Sequence, residues 1–266
     1  MSKIEAALKK ARDLQGQGAG PLPDFEEKLP ARHEEIGRMR EPRIRSREEL
    51  AELKVVHYGM RARRGMDAFR SLRTYLQRAL PQGNPVIVVS ATAPEGGSSF
   101  VATNLAASIA LAETQTAILV DCNLEAPGLG HLSLEGHEEG IVDYLRDPDI
   151  KVERVIHATG IERLRLVPAG ESAGTGRDYL ALPRFSSLVM ELKRRYPDRY
   201  VVVDAPPVTE SADAAALSDM GDCSLLVLPY GRSTDDQVES AVTRLGPEKV
   251  LGMVINDEPV IPVTGW

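Results

Sequence analysis

Ser90 ends an apolar run, and the sequence continues A-T-A-P-E-G-G-S-S-F-V-A-T-N-L-A over residues 91–106. A strand, a glycine-containing turn and a helix in that order make a cradle for phosphate, because loop N–H groups and the helix N-terminus converge on one anion. A complete loop of this kind ends Gly-Lys-Ser/Thr, with the lysine neutralising the β and γ phosphates and the hydroxyl holding Mg2+. Here the ending is Gly97-Ser98-Ser99. Ser98 stands in the lysine's place, and Ser99 keeps the metal hydroxyl. The candidate nucleotide contacts are Pro94, Glu95, Gly96, Gly97, Ser98 and Ser99. Two carboxylates close later apolar runs: Asp121 ends T-A-I-L-V-D, and Asp204 ends Y-V-V-V-D. In an open α/β sheet, ligands bind outside the strand C-termini. Asp121 and Asp204 are therefore candidate catalytic residues and, with Ser99, candidate Mg2+ ligands. Asn123 is a weaker catalytic candidate.

Elements must bring these residues together. Strand-like runs fall at 85–91, 116–121, 164–168, 200–204, 223–228 and 249–255. Most are near-continuous apolar runs, as expected of parallel strands covered on both faces. Between them, helical periodicity appears at 98–112, at 184–196 and at 233–245, the last with Ser233 or Thr234 as cap and Gly246-Pro247 as stop. A further helix is expected over 65–80, with Met66, Phe69, Leu72, Leu76 and Leu80 on one face. Strands alternating with helices imply right-handed crossovers and a mostly parallel central sheet with helices on both faces. Residues 1–15 read as a short amphipathic helix carrying Ile4 and Leu8, too short to be stable alone. Residues 16–57 lack periodicity and read as a flexible linker, 58–258 as the folded domain, and 259–266 as a short tail.

The net charge is −7, so a dedicated nucleic-acid binder is not expected. The charge is uneven: Arg38 to Arg73 holds eleven Lys/Arg against five Asp/Glu, which suits either a solvated linker or a contact with a membrane surface or acidic partner. Cys122 and Cys223 lie far apart and make no disulfide framework, in keeping with a reducing cytoplasm. There is no apolar run of about eighteen residues to span a membrane.

Taken in order, these motifs resemble the catalytic domain of the bacterial tyrosine kinases (BY-kinases), P-loop NTPase-like proteins that regulate capsule and exopolysaccharide synthesis. Pro94, Gly97, Ser99, Asn104, Leu105 and Ala106 fit that family's P-G-E-G-K-S/T loop and the N-L-A after it. Asp121 fits D-x-D-x-R. Asp204, Pro206 and Pro207 fit D-x-P-P. Gly252, Val254 and Asn256 fit the closing G-x-V-x-N. Asp67, Arg70 and Arg73 fit the oligomerisation helix E-x-x-R-x-x-R, with Asp for Glu. The first dozen residues, MSKIEAALKKAR, are similar to autokinases encoded beside exosortase-linked polysaccharide clusters. The resemblance implies ATP or ADP with Mg2+ as cofactors where nucleotide binding is retained. It implies a membrane polysaccharide co-polymerase or chain-length determinant as partner, a homo- or hetero-oligomer, and a cytoplasmic place at the inner face of the membrane through that partner.

The departures sit on the active face. Ser98 replaces the lysine, Glu95 a glycine, Asn123 the second aspartate and Glu125 the arginine; after Asn256 no tyrosine follows. A charge-assisted contact is worth about 1.5–3 kcal/mol, so the lost lysine costs roughly 10- to 150-fold in binding, and more in a phosphoryl-transfer transition state. Three readings follow. One is a regulatory pseudo-kinase acting through a partner. Another is an active tyrosine autokinase whose missing charge comes from a neighbour's Arg61, Arg63, Arg64, Arg70 or Arg73. The third is a MinD/ParA-like positioning ATPase, which would want an early loop lysine near Ala93. The E-G-G-S stretch also leaves room for the loop register to slide by one residue.

Overall fold

The computed structural model describes residues 41–60, 63–80, 84–136, 139–170, 179–180, 182–195 and 199–259. The expected helix over 1–15, the linker up to residue 40 and nearly all of the tail lie outside the described residues. Helix α1 (Arg47–Glu52) and helix α2 (Arg63–Ala79) precede the sheet. Strand β1 (Val86–Ala91), helix α3 (Ser98–Ala110) and strand β2 (Thr116–Asp121) follow, then helix α4 (Ile141–Arg146), strands β3 (His157–Ala158) and β4 (Leu164–Val167), and helix α5 (Pro183–Arg195). Strand β5 (Arg199–Asp204), helix α6 (Asp213–Met220), strand β6 (Cys223–Pro229), helix α7 (Asp235–Leu245) and strand β7 (Val250–Asn256) complete it.

The seven strands run in the order β3-β4-β2-β5-β1-β6-β7. Every pairing is parallel except the short β3–β4 edge. The central strands are buried along their whole length, as their apolar runs require. Alternate residues serve opposite faces. Ile87, Val89, Leu119 and Val202 pack with α2 and α3, whereas Val88, Ile118, Val120, Val201 and Val203 pack with Phe185, Leu188 and Leu192 of α5. Beyond β6, Leu226 packs with Val238, Val242 and Leu245 of α7. The α/β, mostly parallel, two-faced architecture expected from the sequence is the architecture observed. Thr234 is the residue that caps α7, accepting from the Gln237 N–H. Among the described residues, no helix is long and apolar enough to cross a membrane.

The linker expected over 16–57 is corrected for its last part. Ser46 caps α1 through a capping box with Glu49, and Val55, Val56 and His57 are buried. The Val56 N–H donates to Asn104 Oδ1 at 2.7 Å, and Asn104 Nδ2 donates to the Lys54 and Phe100 carbonyls. Two buried valines and two bonds to Asn104 tie the stretch to the domain, and neither feature shows as periodicity. Helices α4 and α6 are likewise absent from the sequence expectation: the first is six residues long and the second is the weakly patterned D-A-A-A-L-S-D-M.

Candidate functional site

The loop leaving β1 is held from three sides. The Thr92 N–H donates to the Val227 carbonyl at 3.0 Å, Thr209 Oγ1 donates to the Thr92 carbonyl at 2.8 Å, and Thr92 Oγ1 meets Ser233 Oγ at 2.7 Å. Asn256 Nδ2 donates to the Gly96 carbonyl at 3.3 Å, so the end of β7 clamps the turn. Two positions demand glycine. A Cβ on Gly96 would meet Ala91 Cβ at 2.6 Å, and Gly97 is left-handed at φ 90° with Asn256 against it. Glu95 takes the left-handed conformation too, at φ 55°, where a side chain is strained. Pro94 and Glu95 are exposed at the rim, Ser98 is buried and Ser99 half-buried. Helix α3 starts at Ser98, and its N-cap Gly97 supplies no side-chain acceptor. Its first N–H groups therefore face the loop as donors for an anion.

Strand order brings the carboxylates to the same place. β5 lies between β1 and β2, and Asp121 and Asp204 are direct partners across the β2–β5 pairing, at the strand ends beside the loop. Asp121 is fully buried, and its Oδ2 accepts from the Gly128 and Leu129 N–H groups at 3.2 and 3.0 Å, its Oδ1 from the Asn123 N–H at 3.3 Å. Burial raises its pKa to about 6, against the pull of those three amides. Asp204 is raised further, to about 8, by burial first and by the neighbouring Asp121 charge second. The hydroxyls of Ser99 and Ser98 moderate that rise. Even so, among the described residues neither Asp204 oxygen receives a hydrogen bond of ordinary geometry. Two buried, unpartnered carboxylate oxygens next to a second buried carboxylate are the donor set of a hard divalent cation, with Ser99, phosphate oxygens and water left to complete the shell. The residues present therefore fit Mg2+.

The other expected site residues divide. Asn123 is half-buried and reaches Asp121 through its backbone; Glu125 is exposed. Asp67 and Arg70 are exposed on α2, but Arg73 turns inward, and its Nη1 donates to the Ser108 carbonyl at 2.5 Å. Within this chain Arg73 fastens α2 to α3, a role the motif spacing did not suggest. Of the arginines weighed as charge donors, Arg61 and the Arg63 side chain lie outside the described residues and Arg64 is exposed. An unexpected cation does reach the loop: Arg232 Nη2 donates to the Glu95 carbonyl at 3.2 Å and pairs with Asp257 at 3.3 Å. Thr92, Thr209 and Ser233 were also missed, because hydroxyl residues in turns carry no spacing signal.

A parallel sheet with a phosphate loop after its central strand and two acids at adjacent strand ends defines an α/β fold of the P-loop NTPase kind. The domain is a homologue of the bacterial tyrosine kinases. It is 28% identical over 194 residues to the tyrosine-protein kinase wzc of Salmonella typhimurium, covering 72% of this chain and 26% of that protein. It is 31% identical over 194 residues to EpsB of Ralstonia solanacearum, covering 72% and 25%. The kinase domain of Escherichia coli tyrosine kinase ETK superposes with a TM-score of 0.66 at 27% identity, covering 76% of this chain and 78% of that one. The chain thus spans about a quarter of the length of the curated relatives it matches. No family model matches the sequence.

Proposed function

We propose that the chain is a BY-kinase-like P-loop protein serving capsular or exopolysaccharide synthesis or export. In this reading it is impaired in phosphoryl transfer and acts, from the cytoplasmic side of the membrane, through a membrane co-polymerase or a kinase partner. One observation carries the impairment: a buried, neutral Ser98 begins α3 where the family has lysine. Among the described residues, no basic side chain figures among the charges that shift Asp121 or Asp204. The loop amides and the α3 N-terminus would hold the phosphates, and Asp121, Asp204 and Ser99 would hold Mg2+. When bound, the ion would neutralise phosphate charge and orient it; among the described residues, Arg232 is the cation that hydrogen-bonds the loop, at its rim. Having Ser98 there in place of lysine costs roughly 10- to 150-fold in nucleotide affinity and more in transfer. The test is ATP titration of the wild type beside Ser98→Lys, with and without Mg2+, together with phosphotyrosine detection. Ser98→Lys should gain affinity, and the purified wild type should phosphorylate no tyrosine. Clear tyrosine phosphorylation by the wild type overturns the reading.

A second reading, an active autokinase with a compensated site, is favoured by Arg232 at the loop rim. It expects ATP turnover by the wild type and its loss in Arg232→Ala.

A further inference from the structure

Before the domain proper begins, the chain passes beside the loop that holds Asp121. Glu41 is buried in an ion pair with Arg165, and its Oε2 accepts from the Gly160 N–H at 3.2 Å. Four residues on, the Arg45 N–H donates to the Gly160 carbonyl at 2.9 Å and Arg45 Nε to the Thr159 carbonyl at 2.7 Å. Residues 41–45 are therefore strapped onto the turn that joins β3 to β4. The rest of the guanidinium reaches across to another segment. Nη2 meets the Leu132 and Ser133 carbonyls at 3.2 and 3.0 Å, with the His131 carbonyl at 3.5 Å. Those carbonyls end the short 3-10 turn Gly130–Leu132. The opposite end of the same stretch carries the Gly128 and Leu129 N–H groups that hold Asp121 Oδ2. A peptide turn thus lies between a cation and an anion, with its N–H groups toward the carboxylate and its C=O groups toward the guanidinium, the sense in which peptide dipoles favour both charges.

We propose that Arg45 is a positioning residue for the metal site: through the 128–133 turn it fixes the two amides that orient Asp121, so the segment ahead of the domain sets the site's affinity for a divalent cation. This rests on the reading of Asp121 and Asp204 as Mg2+ ligands. Leu129 and Leu132 bury the apolar side of the turn and fix its depth. Within the turn, the Leu132 N–H donates to the Leu129 carbonyl at 2.9 Å and the Ser133 N–H to the Gly130 carbonyl at 3.1 Å, which links the end held by Arg45 to the end that holds Asp121. Arginine suits the task because one planar fork serves several carbonyls at once, whereas a lysine reaches them as a point charge. The Arg43 side chain, by contrast, makes an exposed pair with Glu49 and donates to none of these carbonyls.

The test uses the full chain with two readouts: amide hydrogen exchange at Gly128 and Leu129, and Mn2+ affinity from the free-ion resonance signal, with and without ADP. Arg45→Ala should speed exchange at both amides and weaken Mn2+ binding on the order of 10-fold, the usual effect of removing a group that orients a metal ligand. Arg45→Lys should recover part of both, and Arg43→Ala should change neither. Wild-type exchange at Gly128 and Leu129 in a folded Arg45→Ala protein overturns the proposal. So does faster exchange with wild-type Mn2+ affinity. Should Arg45→Ala fail to fold, Arg45→Lys carries the comparison, and wild-type values of both quantities in it are equally fatal. A wild-type chain that binds no Mn2+ refutes the metal reading and the affinity half of the proposal, while the exchange data still decide whether Arg45 fixes the turn.

Discussion

Asp204 should make the metal-free protein less stable as the pH rises through neutrality, and Asp204→Asn should remove most of that dependence. The carboxyl is fully buried, neither oxygen receives a hydrogen bond of ordinary geometry among the described residues, and its pKa stands at about 8 in the fold. In the unfolded chain it returns to the ordinary 3.8. Between those values the folded state holds a proton that the unfolded state has lost, so stability is fully present below the lower pKa and declines until pH passes the upper one. The slope approaches 1.4 kcal/mol per pH unit, and from pH 5.5 to 7.5 this one group accounts for roughly 2–3 kcal/mol. Asp121, raised to about 6, adds a smaller loss confined to the acid half of that window. The assay is urea unfolding at half-unit pH steps in chelator, for the wild type and Asp204→Asn. The wild-type midpoint should fall across the range, the variant should be nearly flat above pH 6.5, and millimolar Mg2+ should flatten the wild-type curve by binding the ionised pair. A wild-type midpoint that holds or rises from pH 5.5 to 7.5, or a variant with the wild-type slope, would show that Asp204 is solvated or paired and would remove the argument for a waiting cation site.

Other substitutions probe the scaffold around the site. Asn104→Ala strips the acceptor from the buried Val56 N–H and the donor from the Lys54 carbonyl; it should cost about 2–3 kcal/mol in urea unfolding and speed amide exchange at Val56 more than at Leu119. Glu95→Gly relieves a left-handed non-glycine residue at φ 55° and should raise stability by about 1 kcal/mol, read as a higher melting temperature. Gly97→Ala must place a Cβ against the Asn256 side chain at φ 90°; a loss of about 1–3 kcal/mol is expected, with little relief from adding Asn256→Ala, since the backbone strain remains.

The fold was legible where it depends on long apolar runs. Thr116–Asp121 and Arg199–Asp204 are buried at every position and read as strands because nothing polar interrupts them. The site was legible for a related reason: a strand must end where its apolar run ends, and Asp121 and Asp204 mark those ends. That they are direct cross-strand partners was not readable, because strand order is set by packing between distant segments and by no local pattern. The residues that hold the site together were silent for a further reason. Asn104, Thr209, Asn256 and Arg45 act through hydrogen bonds to backbone groups far away in sequence, and such bonds leave no periodicity.

The same distinction explains why 41–57 was misread. Its charge and lack of pattern are those of a solvated linker, yet Glu41, Arg45, Val55 and Val56 are each committed to the fold. A stretch can be dense in Lys and Arg and still be structural when its charges have buried partners waiting. Arg45 finds backbone carbonyls and Glu41 finds Arg165, whereas Arg43, Arg47, Glu48, Glu52 and Lys54 are exposed, as the composition suggests. Net charge over a window averages these cases together. What separates them is whether the opposite pole, here the carbonyl end of a turn whose amides hold Asp121, lies within reach.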